Sequence, residues 1–411
     1  MSDTTAREEA AAATAASRLL PARLITMVLA GGMGERLLPI TSERSKPAVP
    51  FGGTFRIIDF TLTSCLFSGI RRAYVLTQYL AVGLNRHLQE RWSFLPRELG
   101  EFIEAVPSKL RTPQGVYRGT ADAVFRNLDL LEDQRPEVVL ILSGDHIYRA
   151  AYDRMVAQHL NSGADATVLT GETDIAEASQ FGVVRFHPDG RIREFVEKPS
   201  DPRPYADADG RCAINLGVYC FSTQFLVRRL VADAKTKSAH DFGKNILPTS
   251  VEMGKVASCP FSSVCPDARP YWRDVGSIES YFQAQMDLVA TPAAFELRDP
   301  RWGDEPRFEE RLPARVHLAG TREAASLVSS GATIGRARVT RAVISPSVRI
   351  EDGATVDEAV LLDGVTVGRG AKLHRVVVEA SVTVPPGARL APRRGAKGRE
   401  GVLVVSRGYP F

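Results

Sequence analysis

The stretch LITMVLAGGMGERL (24–37) joins a short apolar run to a loop that contains three glycines and an arginine. The run is rich in aliphatic residues on both faces, which is typical of a strand buried within a parallel sheet. Gly31, Gly32 and Gly34 let the backbone approach a ligand closely, and backbone N–H groups at the end of a strand suit a phosphate. Arg36 adds a guanidinium that can make paired hydrogen bonds to phosphate oxygens. We therefore predict a phosphate-binding loop after the first strand.

Two common phosphate-binding motifs do not match this loop. No G-K-[ST] is present, which excludes a Walker loop. Leu37 stands where the third glycine of G-x-G-x-x-G would be, which disfavours a dinucleotide cradle. Lys46, held before Pro47, offers a second cation beyond Arg36. The loop thus predicts phosphate binding by bare backbone and two separate cations.

Composition excludes several classes of protein. The chain has 411 residues, which suggests about two domains, and its net charge of +4 comes from arginines scattered along the chain, so nucleic acid is not an expected partner. No apolar run approaches the roughly 18 residues that a membrane helix needs, and residues 1–20 are expected to form a flexible N-terminal tail rather than a signal peptide. The five cysteines form no C-x-x-C pair, which favours reduced thiols in the cytoplasm.

Strand-like and helical segments alternate through the first two thirds of the chain. Residues 24–30, 72–78, 137–145 and 164–171 have the apolar pattern of strands, and helical patterns lie between them. This alternation predicts an α/β domain over 21–290 with a Rossmann-like, mostly parallel sheet. Ligands of such sheets bind at the carboxyl ends of the strands.

A different pattern follows a Pro-rich, charged linker at 291–330. Within 331–411, aliphatic residues recur at six-residue steps, as in Ile344, Ile350, Val356 and Leu362. This period is typical of hexapeptide repeats and predicts a C-terminal left-handed parallel β-helix. A run of β-hairpins, the alternative, would instead alternate with period two.

Further motifs extend the glycine loop into a recognisable set. They are GGTFRIIDFTLTSCLFSGIRRAYVLTQY (52–79), YRGTADAV (117–124), GDHIYR (144–149), EFVEKP (194–199), HDFGK (240–244) and PYWRDVGSIESY (270–281). Together they resemble the bacterial ADP-glucose pyrophosphorylases, a family of sugar-phosphate nucleotidyltransferases. The resemblance implies a nucleotidyltransferase domain followed by a left-handed β-helix. It also implies the reaction of ATP and α-D-glucose 1-phosphate to ADP-glucose and diphosphate for glycogen synthesis, with Mg²⁺ and allosteric regulation.

The reaction that the resemblance implies needs no general base, because the attacking phosphate is already an anion, and so it depends on positioning and charge neutralisation. Asp145 ends an apolar strand, where its carboxylate suits Mg²⁺. The resemblance makes Asp274 the second metal ligand and places Arg36 and Lys46 with these two in the catalytic group. His146 is expected to be a neighbour rather than a ligand.

The resemblance also implies the substrate contacts. The ATP contacts are Leu29, Ala30, Gly31, Gly32, Gly34, Gln78, Gly119, Thr120 and Asp122. The glucose 1-phosphate contacts are Tyr117, Gly182, Glu197, Lys198, Asn215, Tyr219, Asp241, Phe242 and Trp272. Thr120 and Asp122 also suit the N-cap and first turn of a helix.

The sequence departs from the family pattern in places. Asn215 stands where serine is usual, and Val116 where tryptophan is frequent, which loosens the implied strictness for glucose and ATP. The resemblance implies a homotetramer and a basic effector pocket between the domains, to which Arg44, Arg56 and Lys397 are candidates.

Three alternative functions stay open at this point. The first is another sugar-1-phosphate nucleotidyltransferase that uses GTP or UTP with mannose or glucose 1-phosphate. The second is a non-catalytic regulatory paralogue, although the catalytic cations and carboxylates are all present. The third is a β-helix acyltransferase, for which His374 is the lone candidate base.

Overall fold

The computed structural model describes residues 23–112, 115–267, 269–297, 314–318, 325–392 and 401–411. An α/β domain comes first and a parallel β-helix follows. The α/β strands are β1 (Leu24–Ala30), β2 (Pro50–Phe51), β3 (Phe55–Arg56), β4 (Arg72–Thr77), β5 (Phe102–Pro107), β6 (Val138–Ser143), β7 (His146–Tyr148), β8 (Ala166–Asp174), β9 (Gly182–Phe186), β10 (Ile192–Glu197), β11 (Arg211–Ser222), β12 (Val256–Pro260) and β13 (Trp272–Asp274). The α-helices are Ile57–Phe67, Val82–Trp92, Thr120–Phe125, Leu128–Gln134, Tyr152–Ser162, Ile175–Ala178, Thr223–Ala234, Leu247–Met253, Phe261–Val264 and Ile278–Asp287.

The first strand lies at the centre of the main sheet. It pairs in parallel with β4 on one side and β6 on the other, and β5 continues the parallel block beyond β4. Helices cover both faces, and each face has its own apolar core. Since parallel strands end at one edge, the glycine loop after β1 and Asp145 after β6 emerge side by side.

The remainder of the sheet is organised around the long strand β11. This strand runs antiparallel to β6, β8 and β9, so the parallel block is extended by an antiparallel part. Its pairing with β8 is irregular between Asn215 and Tyr219. The predicted α/β domain is confirmed, and its antiparallel part was not predicted from the sequence.

A separate two-stranded ribbon positions Asp274, the second carboxylate of the predicted catalytic group. In this ribbon β13 runs antiparallel to β7, with Asp274 opposite His146 and Trp272 opposite Tyr148. Because His146 directly follows Asp145 in the chain, the ribbon brings two carboxylates together that are distant in sequence.

The predicted left-handed parallel β-helix is confirmed. Its strands stack in parallel: Thr355 of one coil pairs with Lys372 of the next, so a full coil takes 17 residues rather than three complete six-residue steps. Buried aliphatic residues form the core of the solenoid. The strands are β14 (Arg315–Leu318), β15 (Leu327–Val328), β16 (Thr333–Ile344), β17 (Arg349–Ile350), β18 (Thr355–Leu361), β19 (Thr366–Val367), β20 (Lys372–Val378), β21 (Thr383–Val384), β22 (Arg389–Leu390) and β23 (Leu403–Val405).

The boundaries of the solenoid differ from the sequence-based division. Strands β14 and β15 fall inside the range assigned to the linker, yet both pair with β16. The segment was not predicted because its strands are short and Thr340 interrupts the aliphatic six-residue pattern between Ile334 and the run that starts at Ile344. The proposed N-terminal tail, residues 1–20, lies outside the described residues.

The helix Ile278–Asp287 packs against the solenoid. Tyr281 and Phe282 of this helix share an apolar cluster with outward-facing residues of the β-helix, among them Val343, Val360 and Val377. The guanidinium of Arg375 lies 5.3 Å from the centre of the Phe282 ring. The two domains therefore share one apolar interface. Among the described residues, no helix combines the length and apolar character needed to cross a bilayer.

Candidate active site

The glycine loop after β1 leaves its backbone open. At Gly32 an added Cβ would meet nothing within 4 Å, so the peptide groups on either side are accessible. Gly34 has φ +67°, in the left-handed region, and an added Cβ would lie 3.1 Å from both Lys46 and Thr41. Thr41 donates a hydrogen bond of 2.8 Å to the Gly34 carbonyl and fixes this turn. The loop thus presents bare backbone in a defined shape.

Lys46 is the centre of the charged cluster. Its side chain is only 8% exposed, and its Nζ lies 2.7 Å from Asp274 Oδ1 and 3.1 Å from Asp145 Oδ2. Burial alone would lower the pKa of Lys46, but the two carboxylates outweigh burial and raise it. The ammonium is therefore charged at neutral pH and fixed between the two aspartates.

The same cluster holds Asp145 ionised. Burial opposes ionisation, but Lys46 and then His146 hold the pKa of this carboxyl well below its usual range. Ser143 Oγ donates a further hydrogen bond to Asp145. An anion at this position is a ready ligand for a hard cation.

Arg36 stands at the rim of this cluster. Its guanidinium is 3.9 Å from Asp274 Oδ2, and its side chain is 66% exposed. An added Cβ at Gly276 would lie 2.7 Å from the Arg36 guanidinium and 3.0 Å from Asp274, so glycine leaves the room that these charges occupy. The four residues predicted as the catalytic group therefore lie together.

The carboxylates fit a divalent cation that also has ligands from outside the protein. Among the described residues, no group of three or more His, Cys, Asp or Glu side chains could enclose a metal ion alone. Asp145 and Asp274 nevertheless converge on one point, where Lys46 Nζ lies. Mg²⁺ is commonly held by one or two carboxylates together with substrate phosphates, which matches this donor set.

A cavity of about 370 Å³ adjoins the cluster. It opens between the glycine loop and the YRGTADAV segment. Gln78 lies at its wall, where its Oε1 accepts a hydrogen bond of 2.7 Å from the Tyr117 backbone. Asp145, a predicted metal ligand, lines this cavity. The predicted ATP contacts that line it are Leu29, Ala30, Gly31, Gly32, Gln78, Gly119 and Thr120.

Asp122 and Thr120 make hydrogen bonds to other side chains of the protein. Asp122 is 2% exposed, and hydrogen bonds from Arg118 lower its pKa although burial opposes this. Thr120 is the first helical residue rather than the predicted N-cap, which is Gly119. Its Oγ1 donates to Asp241 Oδ2 at 2.9 Å and so links the cavity to the HDFGK segment.

Tyr117 and Arg118 also line this cavity. Tyr117 was predicted to contact glucose 1-phosphate, as was Asp241, which lines the cavity too. The Tyr117 hydroxyl accepts a hydrogen bond of 3.1 Å from Asn127 Nδ2. Arg118 also lines the cavity and was not predicted; its signal was Asp122 four residues on, which pairs with it at 2.6 Å.

The residues predicted to contact the sugar form a second group. Added Cβ atoms at Gly182 and Gly243 would lie 2.7 and 2.6 Å from Glu197 Oε2, so these two glycines leave room for the carboxylate in its present position. Burial raises the pKa of Glu197, Lys198 opposes the shift and Asp241 adds to it. The group offers carboxylate oxygens as hydrogen-bond acceptors close to the backbone of Gly182 and Gly243.

Aromatic residues complete this group. Tyr219 and Phe242 stack with their ring centres 5.4 Å apart, and both are nearly buried, so they support the site more than they line it. Asn215 Nδ2 donates to the Tyr219 hydroxyl at 2.9 Å. Trp272 packs on His146 at 5.0 Å between ring centres. Lys198 has an exposed Nζ 3.5 Å from Glu197 Oε1.

The candidate effector residues are only partly described. Arg56 lines a cleft at the domain boundary with Ser330 and Asp363, and burial lowers its pKa, with Arg44 adding to the shift. Arg56 also donates to the Ala48 carbonyl at 3.2 Å. Lys397 lies outside the described residues.

Comparisons with known proteins agree with this geometry. The Nucleotidyl transferase family model matches residues 25–291, and the GlmU-like, C-terminal hexapeptide model matches residues 313–400. The chain is 42% identical to glucose-1-phosphate adenylyltransferase 2 of Alkalilimnicola ehrlichii, over 81% of this chain and 80% of the relative. The chain belongs to the glucose-1-phosphate adenylyltransferase family of nucleotidyl transferases.

Other members of the family give the same level of similarity. The glucose-1-phosphate adenylyltransferase of Rhodopirellula baltica is 43% identical over 81% of this chain and 77% of the relative. That of Paraburkholderia phytofirmans is 43% identical over 82% of this chain and 84% of the relative. The resemblance inferred from the sequence motifs is confirmed, and the chain is a nucleotidyltransferase.

Proposed function

We propose that this protein transfers the adenylyl group of ATP to α-D-glucose 1-phosphate and releases diphosphate, the reaction that makes the glucosyl donor for glycogen. One observation carries the proposal: Lys46 and both aspartates meet at the edge of a cavity lined by the glycine loop. Such a cluster can bring two phosphate-bearing reactants together and neutralise their charge.

The reaction is a single in-line displacement. A phosphate oxygen of glucose 1-phosphate attacks the α-phosphorus of ATP, and the bond from that phosphorus to the diphosphate oxygen breaks. No proton has to be removed from the attacking oxygen at neutral pH. Arg36 and Lys46 offset the negative charge that accumulates on the phosphates, and the glycine loop holds the nucleotide phosphates by backbone N–H groups.

We propose Mg²⁺ as the cofactor, with Asp145 and Asp274 as its protein ligands. When bound, it supplies Lewis-acid stabilisation of phosphate oxygens and a template for both reactants. The two carboxylates would then share their charge between the metal and Lys46. The sugar would lie against Glu197 and Asp241, whose oxygens accept hydrogen bonds from hydroxyl groups.

A diphosphate-release assay tests the proposed substrates. ATP, GTP, UTP and dTTP are each combined with glucose 1-phosphate and with mannose 1-phosphate. We expect the highest kcat/KM for ATP with glucose 1-phosphate. A preference for GTP or UTP would replace the proposal with another sugar nucleotidyltransferase, and no turnover of any pair would support a regulatory paralogue.

Assembly, regulation and location belong to the same proposal. We expect a homotetramer. We also expect the protein in the cytoplasm, where thiols stay reduced, and the cysteines are all free and buried among the described residues. The cleft beside Arg56 is the expected place for a phosphorylated or carboxylate effector.

The family resemblance predicts which effector works. Glu43, Pro50 and Asp133 stand where activator-responsive relatives often carry cations, and the loss of positive charge would weaken binding of a second phosphate. We therefore expect fructose 1,6-bisphosphate to activate poorly, while a monophosphate or a carboxylate metabolite activates better. Initial rates measured with each compound check this, and strong activation by micromolar bisphosphate would contradict it.

A further inference from the structure

A second cavity, of about 500 Å³, lies apart from the nucleotide cavity. Its walls come from β8, β11 and β12 and from the segment around Phe261, and Trp272 forms part of it. None of its lining residues lies in the nucleotide cavity. Its volume is within the range of small-molecule sites. Trp272 is the one lining residue that it shares with the predicted glucose 1-phosphate contacts.

The lining combines aromatic rings with hydroxyl groups. Phe186, 40% exposed, and Phe261 stand with Trp272 as the aromatic side chains. Thr170 and Ser258 contribute hydroxyls whose oxygens are 2.7 Å apart. Trp272 contributes its ring to this wall, since its Nε1 is buried away from solvent.

The charged groups that line this cavity disfavour an anionic ligand. Arg211 is the only Lys, Arg or His in the lining of this cavity. Its guanidinium lies 3.9 Å from Glu172 and 3.5 Å from Asp174, so two carboxylates compensate one cation. A phosphorylated or carboxylate ligand would meet net negative charge. The cavity therefore favours a neutral ligand.

We propose that this cavity binds a neutral saccharide. Sugar rings present C–H faces to aromatic side chains and hydroxyls to polar groups, and this lining offers both. Hydroxyl groups of the ligand can bond with Thr170, Ser258 and the paired Glu172. The site takes unphosphorylated sugar, in contrast to the active site, which takes sugar phosphate in the proposed function.

Isothermal titration of the full-length protein with maltose tests the proposal. The titration is done first without and then with saturating glucose 1-phosphate, so that binding at the active site can be distinguished. We expect maltose to bind at millimolar concentration, and Phe186→Ala and Ser258→Ala each to weaken binding at least tenfold. Phe411→Ala, which removes another exposed phenylalanine, is the matched control and should bind as the wild type does.

Several outcomes would overturn the site. Absence of maltose binding to the wild-type protein would do so, and so would binding that Phe186→Ala and Ser258→Ala leave unchanged. Complete competition by glucose 1-phosphate would assign the sugar to the active site instead. Thermal melting verifies the fold of each variant, and Ser258→Ala carries the test should Phe186→Ala fail to fold. Because the readout is binding, the result is independent of the diphosphate-release assay.

Discussion

Replacing Lys46 by methionine tests the charged cluster most directly. Methionine has a similar length but no charge, so Asp145 and Asp274 would face each other without the ammonium that lies 3.1 and 2.7 Å from them. Two carboxylates that share a site repel each other and resist ionisation. We expect the variant to lose stability as well as activity.

The structure sets the size of both effects. Removing one member of a buried ion pair costs about 3–5 kcal/mol. The side chains of Asp145 and Asp274 are 29% and 26% exposed, which reduces this to roughly 2–3 kcal/mol because water still screens them. In a domain of this size that corresponds to a fall in Tm of roughly 5–8 °C. The rate should fall about 10²-fold or more, as for loss of one charge-stabilising group.

Thermal melting with EDTA and with Mg²⁺ measures the stability effect. We expect Mg²⁺ to restore part of the Tm of Lys46→Met, since a divalent ion can take the position between the carboxylates. Lys46→Met combined with Asp145→Asn should also regain stability, because only one charge then remains. Lys237→Met, at an exposed lysine, is the control and should melt as the wild type does. A Lys46→Met protein with unchanged Tm in EDTA would refute the reasoning.

Three further predictions concern other parts of the catalytic domain. Asp145→Asn should keep the fold and lose about 10³-fold in kcat in the diphosphate-release assay, since a charged metal ligand is removed; a loss below tenfold would contradict its role. Gly119→Ala should raise KM for ATP at least tenfold, because the new Cβ would lie 2.3 Å from the Ala239 and His240 carbonyl oxygens, whereas Gly83→Ala, in open space, should be neutral. Burial lowers the pKa of His159 to about 4, so the folded protein should lose about 3 kcal/mol of unfolding free energy as pH falls from 6.5 to 4, when the unfolded chain takes up the proton first. Urea unfolding of the wild type and His159→Gln should show a weaker dependence in the variant, and parallel curves would contradict this.

The parallel half of the fold could be predicted because its signals are local. The apolar run 24–30 and the helix that ends at Ser162 before Gly163, which has φ +58°, follow rules that act within a few residues. The antiparallel pairing of β11 could not be predicted, since it depends on contacts distant in sequence. The 17-residue coil arises where a five-residue step interrupts the six-residue pattern, as between Leu362 and Val367.

The site was predictable to the extent that motifs carry it. Arg36, Lys46, Asp145 and Asp274 were expected together and lie together. The sequence alone could not show that Lys46 bridges both carboxylates, because Asp274 arrives on a ribbon formed by long-range pairing. The ion pair of Asp122 with Arg118 was not predicted, although the four-residue spacing of the two residues indicates it.

The helix Ile278–Asp287 begins four residues after Asp274 and has its aromatic side chains seated on the solenoid. Asp274, the proposed metal ligand, and the apolar contact between the two domains are thus joined by one short, continuous segment of the chain. A molecule that alters this contact would therefore displace the proposed metal ligand through the polypeptide itself, without approaching the substrates. Removing the solenoid would expose Tyr281 and Phe282, the aromatic side chains at this contact.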